Sequence, residues 1–88
     1  MPYEVLVTAR ARRDLERLPE RVVPAVIEFM FGDLATSPYR VGKPLKRQLE
    51  GNHGARRGPY RVLYRIDDDS ARVIVLRVAH RSEVYRLG

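Results

Sequence analysis

Three arginines frame a turn in this 88-residue chain: Arg56 and Arg57 just before Gly58-Pro59, and Arg61 just after it. Arginine stays ionised at any relevant pH and grips phosphoryl oxygens in a planar fork. A hydrophobic core has no use for so much cationic charge beside a rigid turn, whereas an anionic ligand does. The wider charge pattern agrees. Between Arg40 and Arg65 the chain carries eight basic residues (Arg40, Lys43, Lys46, Arg47, Arg56, Arg57, Arg61 and Arg65) against Glu50 alone. The remainder holds nine basic and ten acidic residues, so the whole net charge of +6 belongs to this middle segment. Such a distribution marks a nucleic-acid or phosphate surface rather than general solubility.

Cleaving RNA asks little more of a protein than such a surface, because the nucleophile is the RNA's own 2′-hydroxyl. The protein must align that oxygen with phosphorus, stabilise the charge on the pentacoordinate phosphate, and handle two protons. Fixed arginines serve the second task. Histidine has the pKa best matched to the third, so His53 and His80 are candidates, with a structural or merely exposed histidine as the alternative. The two histidines have no partners at metal-ligand spacing, and no P-loop, dinucleotide fingerprint or Ser-His-Asp arrangement is recognisable. Asp67-Asp68-Asp69 lacks the spaced acids and distal glutamate of a calcium loop and reads as a hairpin turn. No metal and no cofactor is expected.

The elements that must hold these residues follow from periodicity. In Tyr60 to Ile66, Tyr60, Val62, Tyr64 and Ile66 alternate with Arg61, Leu63 and Arg65, the period-two pattern of a strand. Ala71 to Ala79 is a second strong strand, and Tyr3 to Thr8 a short one. Leu6, on the more polar face of that short strand, points to partial cover on both faces. Thr8 is a helix N-cap candidate. It precedes a helix with Ala11, Leu15 and Leu18 inward and Arg10, Arg13, Asp14 and Arg17 outward, the arginines reading as a solvated face. Leu18-Pro19 ends it. A second helix from about Glu20 to Ala35 buries Val23, Val26, Ile27, Met30 and Leu34, with Val22, Phe29 and Phe31 broadening its apolar surface. Ser37-Pro38 and Gly42 mark a loop, and Gly51, Gly54 and Gly58 break the following stretch into turns and at most one short strand. The predicted fold is a single α+β domain over residues 1–88. Its N-terminal strand and two-helix hairpin pack on one face of a mainly antiparallel sheet of about four strands, and the other face is open. The absence of cysteine fits a reducing cytosol. The N-terminus is too polar for a signal peptide, and no apolar run reaches membrane-spanning length.

The ordered series KPLKRQLEG, ARRGPYRVLYRID and VLRVAHRSEVYR resembles the RelE branch of the RelE/ParE toxin superfamily, in particular the RelE-type toxins of actinobacteria. The likeness spans nearly the whole chain. It implies the toxin of a type II toxin–antitoxin pair: a cytoplasmic endoribonuclease that cuts mRNA in the ribosomal A site without a metal, contacts rRNA, and is neutralised by a RelB-like antitoxin. The toxin alone would be monomeric and would form a larger assembly with its antitoxin. Matched residue by residue, the resemblance implies catalytic roles for Arg56, Arg61, Arg81 and Tyr85. Arg57, Lys43, Lys46, Arg47 and His80 would hold RNA phosphates. Some RelE toxins carry two strand lysines where this chain has Gly54 and Arg56, so proton transfer would fall to Tyr85, or to His80 beside Arg81. For Arg61 the alternative is an ion pair with an acid such as Asp67, and for Tyr85 a place in the core. A gyrase-inhibiting toxin of the same scaffold and a non-toxic basic nucleic-acid-binding module are the competing functions.

Overall fold

The strongest pairing in the fold joins the two strands whose alternation is clearest in the sequence. The computed structural model describes residues 2–83. In order these form β1 (Glu4–Val7), α1 (Ala9–Arg17), α2 (Val23–Phe31), α3 (Asp33–Thr36), α4 (Pro38–Val41), β2 (Lys43–Pro44), a 3₁₀ turn (Arg47–Leu49), β3 (His53–Arg57), β4 (Tyr60–Asp67) and β5 (Arg72–His80). The sheet has five strands in the order β1-β5-β4-β3-β2. All neighbours are antiparallel except β1, which runs parallel to β5. The class is the α+β fold expected, with one strand more than the four predicted. The extra strand is β2, whose two residues pair with the His53–Gly54 end of β3.

The β4–β5 hairpin closes at Asp67–Ala71, where the Asp67 carboxylate accepts the Ser70 N–H at 3.3 Å. Its ladder shifts register between Leu63 and Tyr64, leaving Leu76 as an extra residue on β5. On β4, Val62 and Tyr64 are fully buried on the helical side, with Val73, Val75 and Val78 of β5 beside them. The Tyr64 hydroxyl donates to the Pro38 carbonyl at 2.5 Å, and burial pushes its pKa up to about 12. Leu63 points the other way and forms a small cluster with Ala79 and Leu45.

Thr8 caps α1 as expected, its hydroxyl accepting the Ala11 N–H at 3.1 Å. The second helix is shorter than expected. It begins at Val23 with Pro24 in its first turn, and the backbone turns out of helical geometry at Gly32 before α3 resumes. Val26, Phe29, Met30 and Leu34 reach the core, whereas Ile27, assigned to the buried stripe, is 40% exposed. Phe31 is 57% exposed. The break at Gly32 rotates the apolar face, so Phe29 takes the inward place. Leu6 is also 40% exposed, against the expectation of cover on both faces of β1. The Ser37-Pro38 stretch, expected as loop, is the one-turn helix α4.

Candidate nucleic-acid interface

The Gly58 turn, with Gly58 at φ +58°, sets Arg56 directly opposite Arg61 in the β3–β4 register. Cross-strand partners share one face of a sheet, and like charges in that position repel. Lys43 of β2 is paired with Gly54 of β3, which lies two residues from Arg56 and therefore on the same face. These groups line one groove of about 390 Å³ together with Arg40, Val41, Gly42 and Leu45. The floor is made narrow and flat by glycine: at Gly54 an added methyl would sit 3.3 Å from the Leu45 side chain. Among the described residues the ion pairs are Arg57–Asp33, Arg72–Glu4 and Arg77–Asp14, so none of the groove cations is neutralised. The Arg61–Asp67 pair considered from sequence does not form. A site built in this way is preorganised for an anion that several cations can reach at once.

The other predicted site residues fall in different places. Arg57, one residue from Arg56, lies on the opposite face. Its guanidinium stacks 4.4 Å from the Phe29 ring centroid and pairs with Asp33 at 3.3 Å, so it does not join the groove. Lys46 and Arg47 are exposed around the 3₁₀ turn between β2 and β3, and Arg47 adopts φ +60°. His80 also belongs to the helical side. It is the cross-strand partner of Tyr60, their rings 5.6 Å apart, and its Nδ1 accepts the Ser82 N–H at 3.2 Å. It lines a depression with Asp14, Leu18 and Pro19 rather than the arginine groove. Arg81 follows β5 with its N–H donating to the Pro59 carbonyl at 2.8 Å, which fixes its backbone beside the start of β4 and hence near Arg61. Tyr85 lies outside the described residues. His53 stacks on Tyr64 with 5.6 Å between centroids, inside the core layer. Arg40 is the groove residue the sequence reading did not single out, although it begins the basic segment.

Two networks keep the sheet rigid behind the groove. Asp14, 9% exposed, accepts from Arg77 Nε at 2.8 Å, from Arg77 Nη2 at 3.2 Å and from the Val78 N–H at 2.9 Å, joining α1 to the bulged part of β5. Burial pushes the Asp14 carboxyl up, but the bonds from Arg77 and Val78 together with the Arg77 charge outweigh it, so its pKa is lowered. At the other end, the Tyr3 and Tyr39 hydroxyls both donate to Asp68, lowering its pKa and pushing Tyr39 up to about 12.

A five-stranded sheet with helices on one face and an uncompensated basic groove on the other defines a small phosphate-binding α+β protein. Its relatives make the class specific. Residues 5–85 match the family described as the ParE toxin of type II toxin–antitoxin systems, parDE. The chain is 59% identical over 86 residues to Toxin RelG of Mycobacterium tuberculosis, covering 98% of this chain and 99% of that one. It is 55% identical over 87 residues to Toxin RelE of the same organism, covering 99% and 90% respectively. Among solved structures, it matches the toxin–antitoxin complex RelBE2 from M. tuberculosis with a TM-score of 0.88 and 59% identity, over 92% of this chain and 100% of that chain. A mutant of E. coli toxin RelE in the free state shares the fold, with a TM-score of 0.75 at 23% identity over 98% and 93% of the two chains. The chain therefore belongs to the RelE/ParE family of type II toxin–antitoxin toxins, as a RelE-type member.

Proposed function

We propose that this toxin arrests translation as an endoribonuclease acting on mRNA in the ribosomal A site, and that a RelB-like antitoxin holds it inactive in the cytoplasm. The observation that carries the reading is the unpaired Arg56–Arg61 couple, set face to face in the groove with Arg40 and Lys43. Opposed cations cost stability unless an anion comes between them, and a phosphodiester is such an anion. In the reaction the 2′-oxygen forms a bond to phosphorus, the bond to the 5′-oxygen breaks, and the two arginines hold the extra negative charge of the intermediate. The 2′-hydroxyl must lose a proton. Arginine cannot take it, which leaves Lys43 as the one described ionisable group lining the groove that can carry a proton in its neutral form. Protonation of the departing 5′-oxygen falls to the tail, where Tyr85 and Arg81 are the residues the family resemblance matches.

The antitoxin reading draws on the relative whose solved structure is a toxin–antitoxin complex. The exposed Ile27 and Phe31 of α2, four residues apart on one helical face, give an antitoxin helix an apolar surface. No helix among the described residues is long and apolar enough to cross a membrane. Mapping mRNA 5′ ends after induction tests the proposal. Cuts inside translated codons are expected. Growth arrest with intact mRNA and double-strand DNA breaks would instead support a gyrase-inhibiting toxin, the reading favoured by the family's ParE description.

A further inference from the structure

The groove is not the only cationic surface. Arg10, Arg13 and Arg17 of α1 recur at i, i+3 and i+7, one side of a helix, and with Arg77 and Asp14 they line a depression of about 130 Å³ on the helical side of the sheet. Asp14 is the one acid there, and its oxygens are already engaged by Arg77 and the Val78 N–H. Four guanidinium groups thus face one carboxylate. The arrangement is electrostatically costly for the helix itself. Like charges three and four residues apart repel, the positive end of the helix dipole disfavours Arg10 in the first turn, and that turn contains no acidic residue. A helix chosen only for stability and solubility would alternate the signs.

We propose that this stripe is a second nucleic-acid surface, which binds the phosphate backbone of a duplex while the groove on the other face takes a single strand. The stripe runs about 10 Å along the helix at ~1.5 Å per residue, a linear track of charge suited to repeated phosphates. The residues lining it include no aromatic ring on which an unpaired base could stack, and no apolar core of the kind a protein interface needs. Backbone recognition of a duplex requires neither. The choice of RNA over DNA duplex rests on the ribosomal reading above.

The test uses the full purified chain and a blunt RNA duplex of about 16 base pairs, the span over which such helices are recognised by shape, with a DNA duplex in parallel. Affinity is measured by fluorescence anisotropy across salt concentrations. The combined Arg10→Gln, Arg13→Gln and Arg17→Gln variant should lower the slope of log K against log salt by about three, roughly one per arginine. Each single variant should lower it by about one, so the result stands even if the triple variant fails to fold. Arg56→Gln with Arg61→Gln should leave the duplex slope unchanged. Wild-type slopes in the single variants would overturn the proposal. So would loss of duplex binding in the groove variant alone, or a triple variant that keeps duplex affinity and loses affinity for an acidic antitoxin peptide. Equal slopes for DNA and RNA duplexes would overturn the preference for RNA. Duplex binding needs no cleavage, so an absence of mRNA cuts in cells would sink the ribonuclease reading and leave this measurement intact.

Discussion

Replacing Arg61 by glutamine should move activity and stability in opposite directions. Arg61 is half-buried, faces Arg56 across the β3–β4 ladder, and has no acidic partner among the described residues. If its charge meets the phosphate only as negative charge builds up, its loss should cost about 10²–10³ in kcat, the scale seen when one preorganised donor is removed, or about 3–4 kcal/mol of barrier. In the free protein the same substitution removes a like-charge cross-strand pair worth ~0.2–1 kcal/mol. At ~4–8 °C per kcal/mol for a domain of this size, Tm should stay level or rise by a few degrees. Single-turnover cleavage of mRNA on programmed ribosomes measures the first effect, and thermal denaturation followed by circular dichroism the second. Arg57→Gln is the matched control. It sits one residue from Arg56 but contacts Phe29 and Asp33 on the other face, so it should lose about 1 kcal/mol or less of stability and keep wild-type cleavage. A fall in both kcat and Tm for Arg61→Gln would mark the residue as structural, and unchanged cleavage would remove the groove from the mechanism.

Asp14→Asn should destabilise the fold by ~2–3 kcal/mol in urea denaturation. Removing one member of a buried pair costs more than that, but the amide oxygen still accepts the Val78 N–H and Arg77 remains 19% exposed. The Asp14 carboxyl also has a lowered folded-state pKa, so its contribution is fully present above the ordinary unfolded value of ~3.9 and is lost as pH falls through the folded value. The stability difference between wild type and Asp14→Asn should therefore shrink towards zero in acid, and a difference constant with pH would count against the ion pair. Gly42→Ala should cost ~1–3 kcal/mol, because its methyl would overlap the Tyr64 hydroxyl and the Gly54 carbonyl. A variant with unchanged stability would show that the Tyr64–Pro38 bond is not holding that corner.

The sequence reading succeeded where one residue pattern decides the structure by itself. Val62 and Tyr64 alternating with Arg61 and Leu63 leave β4 no other period, and the Thr8 cap and Pro19 stop bound α1 through local chemistry alone. It fell short where an element exists only because of its neighbour. The HGARR run of β3 has no apolar alternation, and it is a strand because β4 supplies a ladder and Ala55 fits the core at 2% exposure. β2 depends on β3 in the same way. For the site, a two-residue turn is enough to imply that Arg56 and Arg61 share a face. The same alternation sends Arg57 to the helices, a consequence missed when arginines were grouped by proximity in sequence. His80 was misplaced for a related reason: its face follows from its pairing with Tyr60, which depends on the bulge at Leu76.

That bulge and the short β2 together bear on the proton problem. With His80 on the helical side and His53 stacked in the core layer, neither histidine reaches the groove. Gly54 leaves an empty position on β3 directly beside Lys43 of β2, so the neighbouring strand supplies an amine where β3 has no side chain. Lys43→Arg separates the two services an amine can perform, because it keeps the positive charge and removes the proton that can be exchanged. If Lys43 only holds phosphate, the arginine variant should cleave as wild type does, and Lys43→Ala should weaken binding alone. If Lys43 is the base, Lys43→Arg should lose about 10²–10⁴ in kcat, the usual range for a positioned acid or base. Its remaining rate should also lose the rise with pH that deprotonation of an amine confers. Full activity with an unchanged pH profile in Lys43→Arg would return the proton transfer to the tail.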